Sequence, residues 1–115
     1  MGGPGIGLAD RHCDPQRTGK ILLAGDALQE LKRQLPEWRA EESRQLVKTF
    51  LFPDFKKALD FVNRVGAVAE QEGHHPDIHL AWGRVDVQTS THDAGGLTES
   101  DFILAAKVDR ACFNH

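Results

Sequence analysis

The chain has 115 residues, of which 40 % are hydrophobic and 27 % charged, and a formal net charge of −3. That length suits one domain, and the apolar content is enough for a single core. The mildly negative balance argues against direct nucleic-acid binding, and no run approaches the roughly 18 apolar residues needed to span a bilayer. The opening Met1-Gly-Gly-Pro-Gly-Ile-Gly lacks the charged-then-apolar layout of a secretory signal, so a cytoplasmic protein is expected. Cys13 and Cys112 lie near opposite ends without metal-type spacing. In a reducing compartment both are expected as free thiols, Cys112 as a buried, inert one.

Residues 1–19 carry four glycines in the first seven positions, together with Pro4 and Pro15, and show no periodic apolar face. They are expected to form a flexible N-terminal tail in which His12 and Cys13 are incidental. Residues 20–115 are expected to form a single domain. Its first helix begins near Asp26, which with Gln29 resembles a capping box. Leu28, Leu31 and Leu35 follow at helical spacing, and Pro36 closes the element. Trp38 to Glu41 and Gln45 to Phe52 then read as a β-hairpin.

The second helix has clearer punctuation. Pro53 suits a first helical position and Asp54 complements the helix N-terminus. Phe55, Ala58, Leu59, Val62, Val65 and Ala69 form one apolar stripe, and Gly73 is a natural stop. Ile78, Leu80 and Trp82 alternate with polar or small residues, as do Val85, Val87, Thr89 and Thr91, which predicts a second hairpin with His92 at its end. Asp93-Ala-Gly-Gly is a turn. Thr98 with Asp101 marks the start of a last helix over roughly 99–112. The order α-β-β-α-β-β-α predicts an α+β fold of two layers: a four-stranded antiparallel sheet covered on one face by three helices.

Four of the six histidines fall between residues 74 and 92, and two are adjacent. His74-His75-Pro76 sits at a helix-to-strand junction, and His92 at the end of the next hairpin. Both are loop positions that expose side chains, and Pro76 holds His75 to an extended backbone. Imidazoles titrate near neutrality, so one can donate a proton while another accepts at the same pH. Zinc binding is the rival reading of three histidines. No cysteine joins the cluster, adjacent histidines suit one ion poorly, and Pro76 opposes the helix that His75 and His79 would need. No metal is therefore expected, and His79 reads as a strand surface residue.

Glu70-Gln-Glu-Gly-His74-His75-Pro76, then Trp82, Ser90-Thr91-His92, Gly96-Leu97-Thr98 and Asp101 together resemble the signature of the pterin-4a-carbinolamine dehydratases. The looser likeness runs from about Leu28 to Asp109 and leaves out the glycine-rich N-terminus. Gly73 departs from relatives with a polar residue before the histidine pair. The resemblance implies dehydration of 4a-hydroxytetrahydrobiopterin to the quinonoid dihydropterin, the recycling step after an aromatic amino-acid hydroxylase. It implies no redox cofactor. By resemblance His74, His75 and His92 are the catalytic set, and Glu70, Trp82 and Asp101 contact substrate or orient the imidazoles. The residues also admit plainer readings: Asp101 as the capping partner of Thr98, Glu70 as a solvated helix residue, Trp82 as core or pocket wall.

Family members also serve as dimerization cofactors of a homeodomain transcription factor. A transcription-factor partner, with nuclear occurrence, is therefore the alternative function, and a different pterin substrate is a third. A short sheet with free edges, and the family's habit, predict a homotetramer or dimer.

Overall fold

The computed structural model describes residues 7–113 and has the expected α+β architecture. Its elements are α1 (Gly25–Arg33), β1 (Arg39–Glu41), β2 (Gln45–Leu51), α2 (Phe55–Glu72), β3 (Asp77–Ala81), β4 (Arg84–Thr89) and α3 (Glu99–Phe113). The sheet is antiparallel in the order β1-β2-β4-β3, so the two hairpins meet along the central β2–β4 pair. Register sets Lys48 opposite Val87 and Phe50 opposite Val85. Leu46, Phe50, Val85 and Val87 thereby share one side and are buried, because α2 and α3 lie across it. On the other side Thr49 donates to Asp86 (2.6 Å) and Gln88 to Gln45 (2.7 Å), as suits a polar face. Lys48 breaks the apolar run on the helix side. Its ammonium lies over the Phe50 ring, 4.7 Å from the centroid, and reaches Glu37 (3.0 Å) and Asp109 (2.8 Å).

Local chemistry fixes most element ends. The Asp54 carboxylate accepts from the Lys57 N–H (2.8 Å), which makes it the N-cap of α2 and leaves Pro53 outside the helix instead of at its first position. Gly73 closes α2 at φ 65°, the left-handed conformation that a side chain disfavours. Three expectations shift. The N-cap of α1 is Ala24, with no side-chain cap, so Asp26 lies in the first turn and its capping box does not form. Trp38 precedes β1 and is buried, its indole N–H donating to Asp109. β4 stops at Thr89, because the chain there leaves the β2 ladder for a lone Thr91–Gly96 bridge and a 3-10 turn over His92–Ala94.

The largest correction concerns the N-terminal segment. Positions 1–6 of the expected flexible tail lie outside the described residues, but residues 7–19 are docked against the domain. A 3-10 turn at Leu8–Asp10 buries Leu8, and the Ala9 carbonyl accepts from Lys107 Nζ (3.0 Å). His12 and Cys13 are not incidental either. The Glu72 carboxylate, itself buried, accepts from the Cys13 N–H (2.8 Å) and lies 3.1 Å from His12 Nδ1 and 3.3 Å from Lys107 Nζ. The segment covers the outer side of α3. That explains why Phe102, Ile103, Leu104 and Ala105 are all buried, although one-sided packing would leave part of such a run in water. Among the described residues no helix is long and apolar enough to cross a membrane.

Candidate active site

Two turns deliver the histidines. The left-handed Gly73 swings the chain out of α2 and straight into His74, while Pro76 leads His75 into β3. From the other side Ser90 and Thr91 carry the end of β4 to His92, the first residue of the 3-10 turn. His74, His75 and His92 consequently line one open cleft of about 590 Å³, together with Ser90, Thr91 and Ser100. That volume is within the range of small-molecule sites, roughly 300–1,000 Å³.

Below the cleft floor lies Asp101, fully buried in the first turn of α3. Its Oδ1 takes the Thr89 hydroxyl (2.7 Å) and meets His74 Nε2 at 2.7 Å. Its Oδ2 accepts from the Thr91 hydroxyl (2.7 Å) and the Thr98 N–H (2.9 Å). The carboxylate thus does two things: Oδ2 completes half of a capping box, and Oδ1 is within hydrogen-bond distance of an imidazole. Filled in this way, the carboxylate acts only as an acceptor. His74 Nε2 must then carry a hydrogen, and in the neutral imidazole the lone pair sits on Nδ1. Thr98 extends the network, since its hydroxyl lies 2.8 Å from that of Thr91, whose own proton is committed to Asp101.

His75 is held differently. Its Nε2 lies 2.5 Å from Glu70 Oε2, one turn back on α2, and both side chains are largely exposed. Such a pair contributes little to stability, about 0–1 kcal/mol, but it sets the ring's direction. His92 is exposed, and its ring makes no hydrogen bond to another described residue, which leaves both nitrogens open to a ligand. Trp82 does not join the cluster. It occupies the two-residue turn between β3 and β4, is 68 % exposed, and is absent from the cleft wall. Its neighbour Gly83 is required there, because an added Cβ would lie 2.7 Å from the Phe52 carbonyl oxygen. His79 is exposed on β3, as expected. Among the described residues no group of three or more His, Cys, Asp or Glu side chains converges as metal ligands would.

Comparison with known proteins gives the family of the chain. The family described as pterin 4 alpha carbinolamine dehydratase matches residues 22–111. The chain belongs to that family. A relative from Rubrobacter xylanophilus, provisionally named pterin-4-alpha-carbinolamine dehydratase, is 50 % identical over 103 residues, covering 90 % of this chain and 96 % of its own. One from Chlorobium limicola with the same provisional name is 47 % identical, covering 88 % of this chain and 92 % of its own. The crystal structure of a Brucella melitensis protein described as a transcriptional coactivator/pterin dehydratase superposes with a TM-score of 0.73 at 32 % identity. It covers 78 % of this chain and 97 % of that one. A pterin dehydratase-like protein identified as a RuBisCO assembly factor in the alpha-carboxysome gives a TM-score of 0.57 at 26 % identity. That match covers 66 % of this chain and 89 % of that one.

The family match begins at residue 22, yet the cleft continues beyond it. Cys13, Pro15, Gln16, Gly19 and Lys20 of the docked segment form one side. Reading the sequence missed this wall, and it missed Thr89 and Thr91 as partners of Asp101. The alternation of Val85, Val87 and Thr89 was the available signal for Thr89. A threonine in line with core valines needs a buried hydrogen-bond partner. Burial and the nearby carboxylates push the Cys13 thiol up to about 11, so it stays protonated at neutral pH and is no nucleophile.

Proposed function

We propose that the chain dehydrates a 4a-hydroxytetrahydropterin, with 4a-hydroxytetrahydrobiopterin as the preferred substrate, by histidine acid–base catalysis. The convergence of His74, His75 and His92 on one cleft, with His74 fastened to Asp101, carries this reading. In the reaction the C4a–O bond breaks, the N5 proton leaves, and a C4a=N5 double bond forms as water departs. Hydroxide is a poor leaving group, so a proton must reach the 4a oxygen as another leaves N5. His74 suits the base: its Nδ1 lone pair can take the N5 proton, and Asp101 then faces an imidazolium. His92, unrestrained at the cleft edge, suits the acid that protonates the hydroxyl. His75, aimed by Glu70, positions the ring system. One proton is taken and one given, so solvent exchange between the two imidazoles resets the site. The chemistry is redox-neutral and requires no cofactor. We assign the activity to tetrahydrobiopterin recycling in the cytoplasm, carried out by a homotetramer or dimer.

The test is the dehydration rate of enzymatically generated 4a-hydroxytetrahydrobiopterin with wild type, His74→Ala and His92→Ala. Wild type is expected to accelerate the reaction, and each variant, still folded by circular dichroism, to lose about 10²-fold or more. No acceleration by folded wild type would overturn this reading. The chain would then be a binding module or would act on a different pterin; the Brucella and carboxysome neighbours are described as a transcriptional coactivator/pterin dehydratase and a RuBisCO assembly factor.

A further inference from the structure

The wall of the cleft built by residues 13–20 has a different chemistry from the histidine wall. Cys13 and Gly19 are tied down and offer no free long donor: the Cys13 N–H is held by Glu72 and its thiol lies 3.5 Å from the Ser100 carbonyl. Gly19 fits only because it lacks a side chain, since a Cβ would stand 3.1 Å from Ser100 Oγ and 3.3 Å from the Pro15 Cα. Gln16 and Lys20 are the long donors on this wall. Both are exposed to the cleft's solvent, and the turn carrying them is fastened on either side. Asp14 Oδ1 accepts from the Gln16 N–H (2.9 Å). Thr18 Oγ1 lies 2.8 Å from Ser100 Oγ, and the Thr18 carbonyl accepts from the Ser100 N–H (2.8 Å). The wall is therefore latched to the first turn of α3, the same turn that carries Asp101.

We propose that this segment is the specificity wall of the cleft, with Lys20 and Gln16 binding the oxygen atoms of the substituent at C6 of a reduced pterin. The inference rests on the pterin reading above. If the histidines face C4a and N5, the neighbouring ring atom is C6. A substituent there must then project along the cleft beside the imidazoles, where the latched wall stands. An ammonium and a carboxamide N–H₂ select for acceptor atoms, so a hydroxylated or anionic substituent gains contacts that an alkyl group does not. Arg17 provides an internal control, since it is a cation on the same turn but not part of the cleft wall.

The test is direct binding of two stable reduced pterins, 7,8-dihydrobiopterin and 6-methyl-7,8-dihydropterin, by titration calorimetry. It uses wild type, Lys20→Ala, Gln16→Ala, Thr18→Ala and Arg17→Ala. Wild type is expected to prefer the hydroxylated pterin. Lys20→Ala should reduce the ratio of the two affinities about 5-fold, as befits a partly solvated charged contact. Gln16→Ala and the unlatching Thr18→Ala should reduce it in the same direction, and Arg17→Ala should not move it. Equal losses for both pterins in Lys20→Ala, or an unchanged ratio in all variants, would overturn the proposal. Because binding is read without turnover, a chain that binds pterins selectively but dehydrates none would sink the catalytic reading while upholding the wall. A chain that binds neither pterin would remove both.

Discussion

Asp101 shows how one side chain can serve fold and site at once. It satisfies the orphan Thr98 N–H at the start of α3, takes two threonine hydroxyls, and fixes the tautomer of His74. Asp101→Asn replaces one acceptor oxygen by an N–H₂ that must face donors, so the penalty falls on stability and chemistry together. The variant should lose about 2–4 kcal/mol in denaturant unfolding and at least about 10-fold in dehydration rate. If the rate survives while stability drops, Asp101 is only a cap. Gly73 separates the two effects from the backbone side. At φ 65° an alanine should lose about 1 kcal/mol, or about 3–6 °C in melting temperature, whereas asparagine, which tolerates this region, should lose less. Equal melting of Gly73→Ala and wild type would mean that the turn relaxes. The histidines were legible in the sequence because they sit where local signals, a glycine stop and a proline, place exposed loops. The Thr89 and Thr91 contacts were not, since strand alternation says which face a residue takes but not what it meets there.

At the scale of elements, the docked N-terminal segment is held by one buried carboxylate more than by its surface pairs. Arg110–Asp10 and Arg11–Glu99 are partly exposed and worth little each. Burial alone would raise the Glu72 carboxyl, but the Cys13 N–H, His12 and Lys107 outweigh it and hold the group below its ordinary 4.5. A depressed folded-state value means that the docked form binds fewer protons than the undocked one. Docking is then at full strength above pH 4.5 and weakens as the pH falls through the depressed value. Hydrogen exchange at the Cys13 amide, corrected for intrinsic rates, should stay slow at pH 6 and speed up progressively below pH 4.5. A corrected rate flat down to pH 3 would show that Glu72 does not hold the segment. The same contrast explains which elements could be read in advance. The ends of α2 are written within a few residues, by Asp54 and Gly73. The docked segment has no periodicity and a single buried leucine, and its anchor lies some 60 residues away, so composition alone suggested a loose tail.

The whole molecule leaves surface that a monomer does not use. The order β1-β2-β4-β3 puts β1 and β3 at the sheet's two edges, each with a row of unpaired backbone groups. On α2, Phe55 and Leu59 are one turn apart and exposed, at 44 % and 38 %, although both belong to the apolar stripe expected to face the core. Two large apolar side chains left in water on a helix gain about 1–2 kcal/mol each when a second copy covers them. Self-association through α2 is therefore expected, alone or together with pairing at a strand edge. Sedimentation equilibrium at micromolar concentration should give a mass that is a multiple of the 12.7 kDa chain, two- or fourfold. Phe55→Asp with Leu59→Asp should shift it toward smaller species without unfolding, because neither residue belongs to the buried core. If the double variant keeps the full mass, the contact runs through the strand edges. If wild type sediments as a single chain, the exposed face of α2 is open for a different protein, and the binding-module alternative becomes the reading to test.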